Sequence, residues 1–263
     1  MQFESANSGF DTSRRTRLWV LIALAIIAIV GVMMLAPIPQ PPGYHAFADQ
    51  RTIWGAPNFW NVISSLPFLI VGVMGTAAIA RQRLLPVKTL YLIFFAGTGL
   101  VAFGSAYYHL APSNQSLVWD RLPMAIVFMA FFAIIIAEHI NARAGRTLFA
   151  PLLVLGIGSV VYWHLTEQAG NGDLRPYIIA QFLPMILIPM ILLLFPSRLW
   201  QARYIWAVLG SYLLAKLLEL ADEQVFALGD VISGHSLKHV VAALGAYLFL
   251  LAVRRRYALT SRA

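Results

Sequence analysis

The sequence predicts an all-α integral membrane protein, and three observations carry that expectation. Hydrophobic residues fill 60% of the 263 positions and charged residues only 11%, whereas a water-soluble domain carries about 25% charged residues. The apolar residues are gathered into runs of about twenty, the length a helix needs to cross ~30 Å of hydrocarbon. Most basic side chains collect at the ends of those runs and at the two termini. A spanning barrel would instead show shorter alternating segments.

In chain order, residues 1–16 are polar and read as a mobile tail ending in Arg14, Arg15 and Arg17. The run 18–35 follows as a first span. An export signal is the other reading, but this run is longer than a usual signal core, and the small-x-small site Ala46-Phe47-Ala48 lies well downstream of it. The connection 36–57 carries Pro37, Pro39, Pro41 and Pro42, so it starts extended and becomes structured later. Further spans are expected over 58–80, 88–110, 117–140, 147–165, 176–195, 203–222 and 234–253, eight in all. Pro184 and Pro189 kink the sixth by removing backbone hydrogen bonds. Arg254, Arg255 and Arg256 stop the eighth.

The net charge of +8 does not point to nucleic acid, because its residues flank spans. Arg14, Arg15, Arg17, Arg81, Arg83, Lys88, Arg143, Arg146, Arg198, Arg203, Arg254, Arg255, Arg256 and Arg262 fall on one side of an eight-span topology, 14 of the 19 basic residues. That side is the cytoplasm by the positive-inside bias, so both termini are cytoplasmic. Cysteine is absent, which excludes disulfides and thiolate metal sites and leaves His, Asp or Glu as ligands.

The stretch 104–124, GSAYYHLAPSNQSLVWDRLPM, concentrates chemistry at the outer edge of the bilayer. Ser105 and His109 are four apart and share a helix face, and Asp120 follows one turn into the next span. His235 and His239 repeat the spacing at the outer start of the last span. Ionisable groups at such depth are costly and usually functional. Three neutral imidazoles and an open position holding water form a common catalytic zinc arrangement. In it Asp120 can take the water's proton and Ser105 can donate to an oxyanion. The plainer alternative is polar residues satisfying nearby carbonyls.

At these residues the sequence resembles the alkaline ceramidases and the wider membrane-hydrolase superfamily that includes adiponectin-receptor-like proteins. GSAYYH, WDRLPM and HSLKH are similar to the three signatures of that superfamily. PNFWNVISSLPFLIVG resembles the opening of the first core helix in alkaline ceramidases, and FADQR resembles bacterial members. The resemblance implies a seven-transmembrane-helix core over 58–253 and one additional N-terminal transmembrane helix over 18–35. Cytoplasmic tails at 1–17 and 254–263 and an external loop at 36–57 complete the chain. It further implies Zn2+ on His109, His235 and His239, with Asp120 and Ser105 serving water and substrate, a ceramide-like lipid.

Two departures accompany it. Eukaryotic members hold Ca2+ on an acidic cluster that includes a residue directly before F-W-N, where this chain has Asn58. Asp49 is the candidate for calcium or for support of the zinc ligands, with Glu167 and Asp173 as the other acidic residues in reach. Arg121 stands where an acidic residue commonly follows the Asp, which bears on headgroup preference.

Remaining polar residues have ordinary readings. Lys216 and Glu219 form a structural pair, His139 is interfacial, and Asp222 and Glu223 approach either the zinc ligands or the external loop. His164, like Trp54, Trp60, Trp119 and Trp163, sits in an aromatic belt. Gly97, Gly99, Ala102, Gly104 and Ala106 permit close helix approach. The expected activity is zinc-dependent hydrolysis of the N-acyl bond of ceramide or a related lipid amide in a bacterial inner membrane, with the site on the periplasmic side. A lipid-sensing receptor with structural zinc is the alternative, and an ion carrier using Lys216, Glu219 and Asp222 is a third.

Overall fold

The computed structural model describes residues 4–82, 87–196 and 202–260. Arg83, Arg198 and Arg262, counted above with the cytoplasmic charge, lie outside them. The described residues form helices α1 (Glu4–Met33), α2 (Phe59–Ile63), α3 (Leu66–Ala80), α4 (Lys88–Leu110), α5 (Asn114–Ile135), α6 (Ala142–Gln168), α7 (Arg175–Leu194), α8 (Ala202–Leu220), α9 (Asp222–Phe226) and α10 (Gly234–Thr260). A π-helical turn over Ile136–Ile140 extends α5. Among the described residues seven spans are long and apolar enough to cross a membrane, one of them within α1. The seventh expected span, 203–222, is α8, which falls short of that standard because Arg203, Lys216 and Glu219 interrupt it, yet it packs lengthwise on α10 inside the bundle.

Two expectations about segments are corrected and one is refined. The polar residues before Leu18 continue α1 back to Glu4. The span expected over 58–80 stands as Phe59–Ala80, but its helix breaks into α2 and α3 at Ser64 and Ser65, where Pro67 lacks the N–H an unbroken helix would use. The arginine triplet does not end the last helix, which runs on to Thr260.

The bundle is centred on α4, packed between α3 and α5. Glycine makes this closeness feasible. A Cβ on Gly104 would stand 2.0 Å from the Trp119 carbonyl oxygen of α5, and one on Gly72 would stand 2.4 Å from the Gly99 backbone of α4. The deep core lies toward the far end of α4, where Phe94, Phe95, Phe131 and Phe249 meet edge to face. By contrast α1 packs at the periphery against α7, and only 6% of its most apolar stretch is buried.

Trp163 corrects the aromatic-belt reading. It is fully buried, whereas Trp54 and Trp119 are exposed. Its ring supports the guanidinium of Arg121, 4.2 Å from the centroid. The connection 36–57 is tied down over this end of the bundle. A 3-10 turn over Pro42–His45 is anchored by His45, which bonds Tyr108 and Asn114 at 2.9 Å each, and Leu174 N–H donates to Ile38 O.

Candidate metal centre

His109 is carried on the last turn of α4, and His235 and His239 on the first two turns of α10. Helical spacing of four puts the latter two on one face, and α4 ends where α10 begins. One ring nitrogen of each of the three lies within 4.8 Å of the others. Their ring centroids form a nearly equilateral triangle with sides of 4.9, 5.0 and 5.0 Å. All three rings are buried.

The Nε2 atoms of His109 and His239 are 3.4 Å apart. Two nitrogens bound tetrahedrally at ~2.05 Å from one zinc would be separated by about 3.4 Å. The chemistry of the donor set therefore fits a borderline metal held by imidazole, and among the described residues this is the one cluster of three such ligands.

The surroundings orient the rings. The hydroxyl of Ser64 donates to Asn61 O at 3.0 Å and lies 2.9 Å from Nδ1 of His239. With its proton so committed, Ser64 Oγ accepts from Nδ1–H, which leaves the Nε2 lone pair turned toward the other imidazoles. Asn61 is fixed in turn, accepting from Ser236 Oγ at 2.7 Å. Asn58 Nδ2 donates to the His109 carbonyl at 2.9 Å. Asp222 accepts from the backbone N–H of His235 at 2.7 Å and of Ala48 at 2.9 Å. One carboxylate thus holds the start of α10 against the connection, and Gly234 is required because its Cβ would meet Leu218 O at 2.2 Å. Phe47 stands edge-on to His109 and His235, 4.7 Å from each.

Ser105 lies 3.5 Å from His239 Nε2 and accepts from Ser65 Oγ at 3.0 Å. Ser105, Asp120 and His239 line one cavity of about 160 Å³, whose remaining wall is mostly apolar side chains of α4, α5, α7, α8 and α10. Asp49 stands elsewhere. Both its oxygens are taken by Arg51, at 2.8 Å from Nε and 2.6 Å from Nη2. Burial pushes its carboxyl upward, but the Arg51 hydrogen bonds and charge outweigh that and hold it below the usual aspartate range. A lone carboxylate paired with a guanidinium does not fit calcium, which takes 6–8 oxygens. Asp49 meets the centre through its carbonyl, which accepts from Asn61 Nδ2 at 3.5 Å.

Arg121 does not enter the cavity. It is buried against Trp163 and Tyr177 and donates to Gln40 Oε1 at 2.7 Å, so its place is structural and the headgroup expectation attached to it is withdrawn. Lys216 pairs with Glu219 as expected, and Lys238 joins them. Ser64, Asn61 and Phe47 carry no metal-ligand signal in the sequence. The one trace is the SSLP break, which frees a serine hydroxyl from its helix.

The family described as Ceramidase matches residues 55–195, more than half of the chain. The chain belongs to the ceramidase family. Among curated proteins no relative matches it. The matched segment contains Ser105, His109 and Asp120, and the two histidines of α10 lie beyond it. In this ceramidase-family chain the helix bundle brings that later pair back to His109.

Proposed function

We propose that the protein is a zinc-dependent intramembrane amidase that cleaves the N-acyl bond of ceramide or a related lipid amide, giving a sphingoid base and a fatty acid. Family membership supports lipid amide hydrolysis. The observation that carries the chemistry is the triangle of buried imidazoles, one of which, His239, lines an apolar cavity. His109, His235 and His239 would hold the ion, and bound zinc would acidify water and polarise a carbonyl.

The chain's own residues do the rest. The lipid enters sideways from the bilayer and lays a tail in the cavity. Asp120, on the cavity wall, takes a proton from the attacking water and returns it to the departing nitrogen. Ser105 donates to the oxygen on which charge develops. In this reading the protein sits in a bacterial inner membrane with both termini cytoplasmic and the centre near the periplasmic surface, and it needs no calcium.

The test is release of fatty acid from a long-chain ceramide by purified protein with its metal measured. Zinc at about one ion per chain with turnover abolished by Asp120→Ala supports the amidase. Wild-type protein that carries zinc and releases no acid from any ceramide would transfer the reading to the lipid sensor.

A further inference from the structure

The polar end of the cavity holds more than the residues assigned above. Lys216 and Glu219 from α8 and Lys238 from α10 line it beside His239. Glu219 accepts from both lysines, one at each oxygen. Lys238 lies 3.1 Å from Glu219 Oε1 and 3.0 Å from His235 Nε2. Glu219 takes one of the lysine's three donors, and the one facing His235 Nε2 would be released if that nitrogen held an ion. Its side chain is 17% exposed and that of Glu219 15%.

Ammonium groups this deep in a spanning bundle are expensive and persist where they serve a ligand or a partner. One carboxylate serves two of them here. Asp120 lines the same cavity, so the residues alone balance in charge, and an ion on the histidines would tip the cavity positive. Away from this end the walls are Phe94, Val101, Val127, Phe131 and Ala246. From Phe94 to Ser105 the helix rises about 16 Å. The slot is therefore long and apolar with cations at one end.

A neutral amide offers an ammonium only a carbonyl oxygen to bond. Its cleavage does create a need. Water's oxygen bonds to the acyl carbon, the carbon–nitrogen bond breaks, the nitrogen keeps one proton from water, and the acid passes its own to the released amine, leaving a carboxylate and an ammonium. We propose that Lys238, steadied by Glu219 and seconded by Lys216, is a carboxylate-binding residue that holds a long-chain fatty acid in this slot with its chain toward Phe94. The identity of the acid as a reaction product rests on the amidase reading; the preference for a carboxylate headgroup does not.

The experiment is calorimetric titration of detergent-purified, metal-replete protein with hexadecanoate and, separately, hexadecanol, which share a tail and differ in charge. Wild type binds the acid at least ~10-fold more tightly than the alcohol, the ratio expected of a charge-assisted hydrogen bond. In Lys238→Met that ratio falls several-fold, to what Lys216 and the ion alone supply, with alcohol binding and zinc content retained, and Lys238→Arg restores it. Equal affinity of wild type for acid and alcohol overturns the proposal without any variant, and so does a folded Lys238→Met that keeps the preference undiminished. Acid preference in a wild type that hydrolyses no lipid amide leaves the subsite standing and removes the amidase. Turnover without acid preference does the reverse.

Discussion

Ser64 holds its hydroxyl 2.9 Å from Nδ1 of His239 and sends its own proton to the Asn61 carbonyl. This fixes which nitrogen of His239 carries a proton, and it depends on a break in the helix that lets a serine stand where a continuous span would bury its backbone. Replacing such a supporting hydroxyl costs about 10–100-fold in metal affinity or activity. Ser64→Ala should therefore bind zinc 10–100-fold more weakly in a chelator competition while its helical circular dichroism is unchanged. Unaltered competition would show that the hydroxyl does not orient the ring.

The three imidazoles act as a set. Changing His109, His235 or His239 to Ala, one at a time, should each take zinc in the purified protein from about one ion per chain to near zero by elemental analysis, since a site left with two protein ligands loses its closed geometry. His164→Ala serves as the comparison and should leave metal content alone.

Asp120 faces the cavity and is outside the imidazole cluster. Asp120→Asn should lower kcat by roughly 10²–10⁴-fold, the usual worth of a positioned acid–base group, with zinc content intact. A variant that loses metal in parallel with activity would make Asp120 a ligand instead.

The approach of α4 to α5 is as tight as backbone permits at Gly104, where a Cβ would also lie 3.2 Å from the Asp120 Cα. Gly104→Ala cannot be absorbed by a flexible side chain, so it must part the two helices. Overpacking of this kind costs about 1–3 kcal/mol, to be read as a lower Tm in detergent, together with lost turnover because Ser105 and Asp120 sit on either side of the contact.

The Asp49–Arg51 pair gives the connection a pH dependence whose sign follows from geometry. Because the folded carboxyl is held below its usual range, the ionised form is favoured, and the stabilisation is present above about pH 3.9, the unfolded value. It disappears as pH falls through the lower folded value. Protease cleavage within 36–57 should thus be slow and level from pH 7 to about pH 4 and accelerate only below that. In Arg51→Met the burial of Asp49 is left uncompensated, so cleavage should already be fast at neutral pH.

Much of this was readable from residue order. Runs of apolar residues locate the spans because crossing hydrocarbon imposes a length, and the spacing of four puts Ser105 with His109 and His235 with His239 on common faces because a helix repeats every 3.6 residues. What hydropathy does not encode is which face of a helix meets protein and which meets lipid. Trp163 was expected at the lipid boundary and is instead buried under Arg121. Partnership across helices is equally silent: Lys216 and Glu219 are three apart in sequence, so their pairing is legible there, while Lys238 reaches Glu219 from another helix. Ser64 and Phe47 are chemically ordinary, and only the backbone break and the course of the connection give them their places.

Phe47 belongs to the connection, eight positions ahead of the segment matched by the family, and yet its ring is the ceiling over two of the imidazoles. The smallest fragment able to keep those rings dry consequently begins upstream of the recognisable family signature. A chimera that joined the helical core to a foreign leader would inherit every ligand and lose the roof.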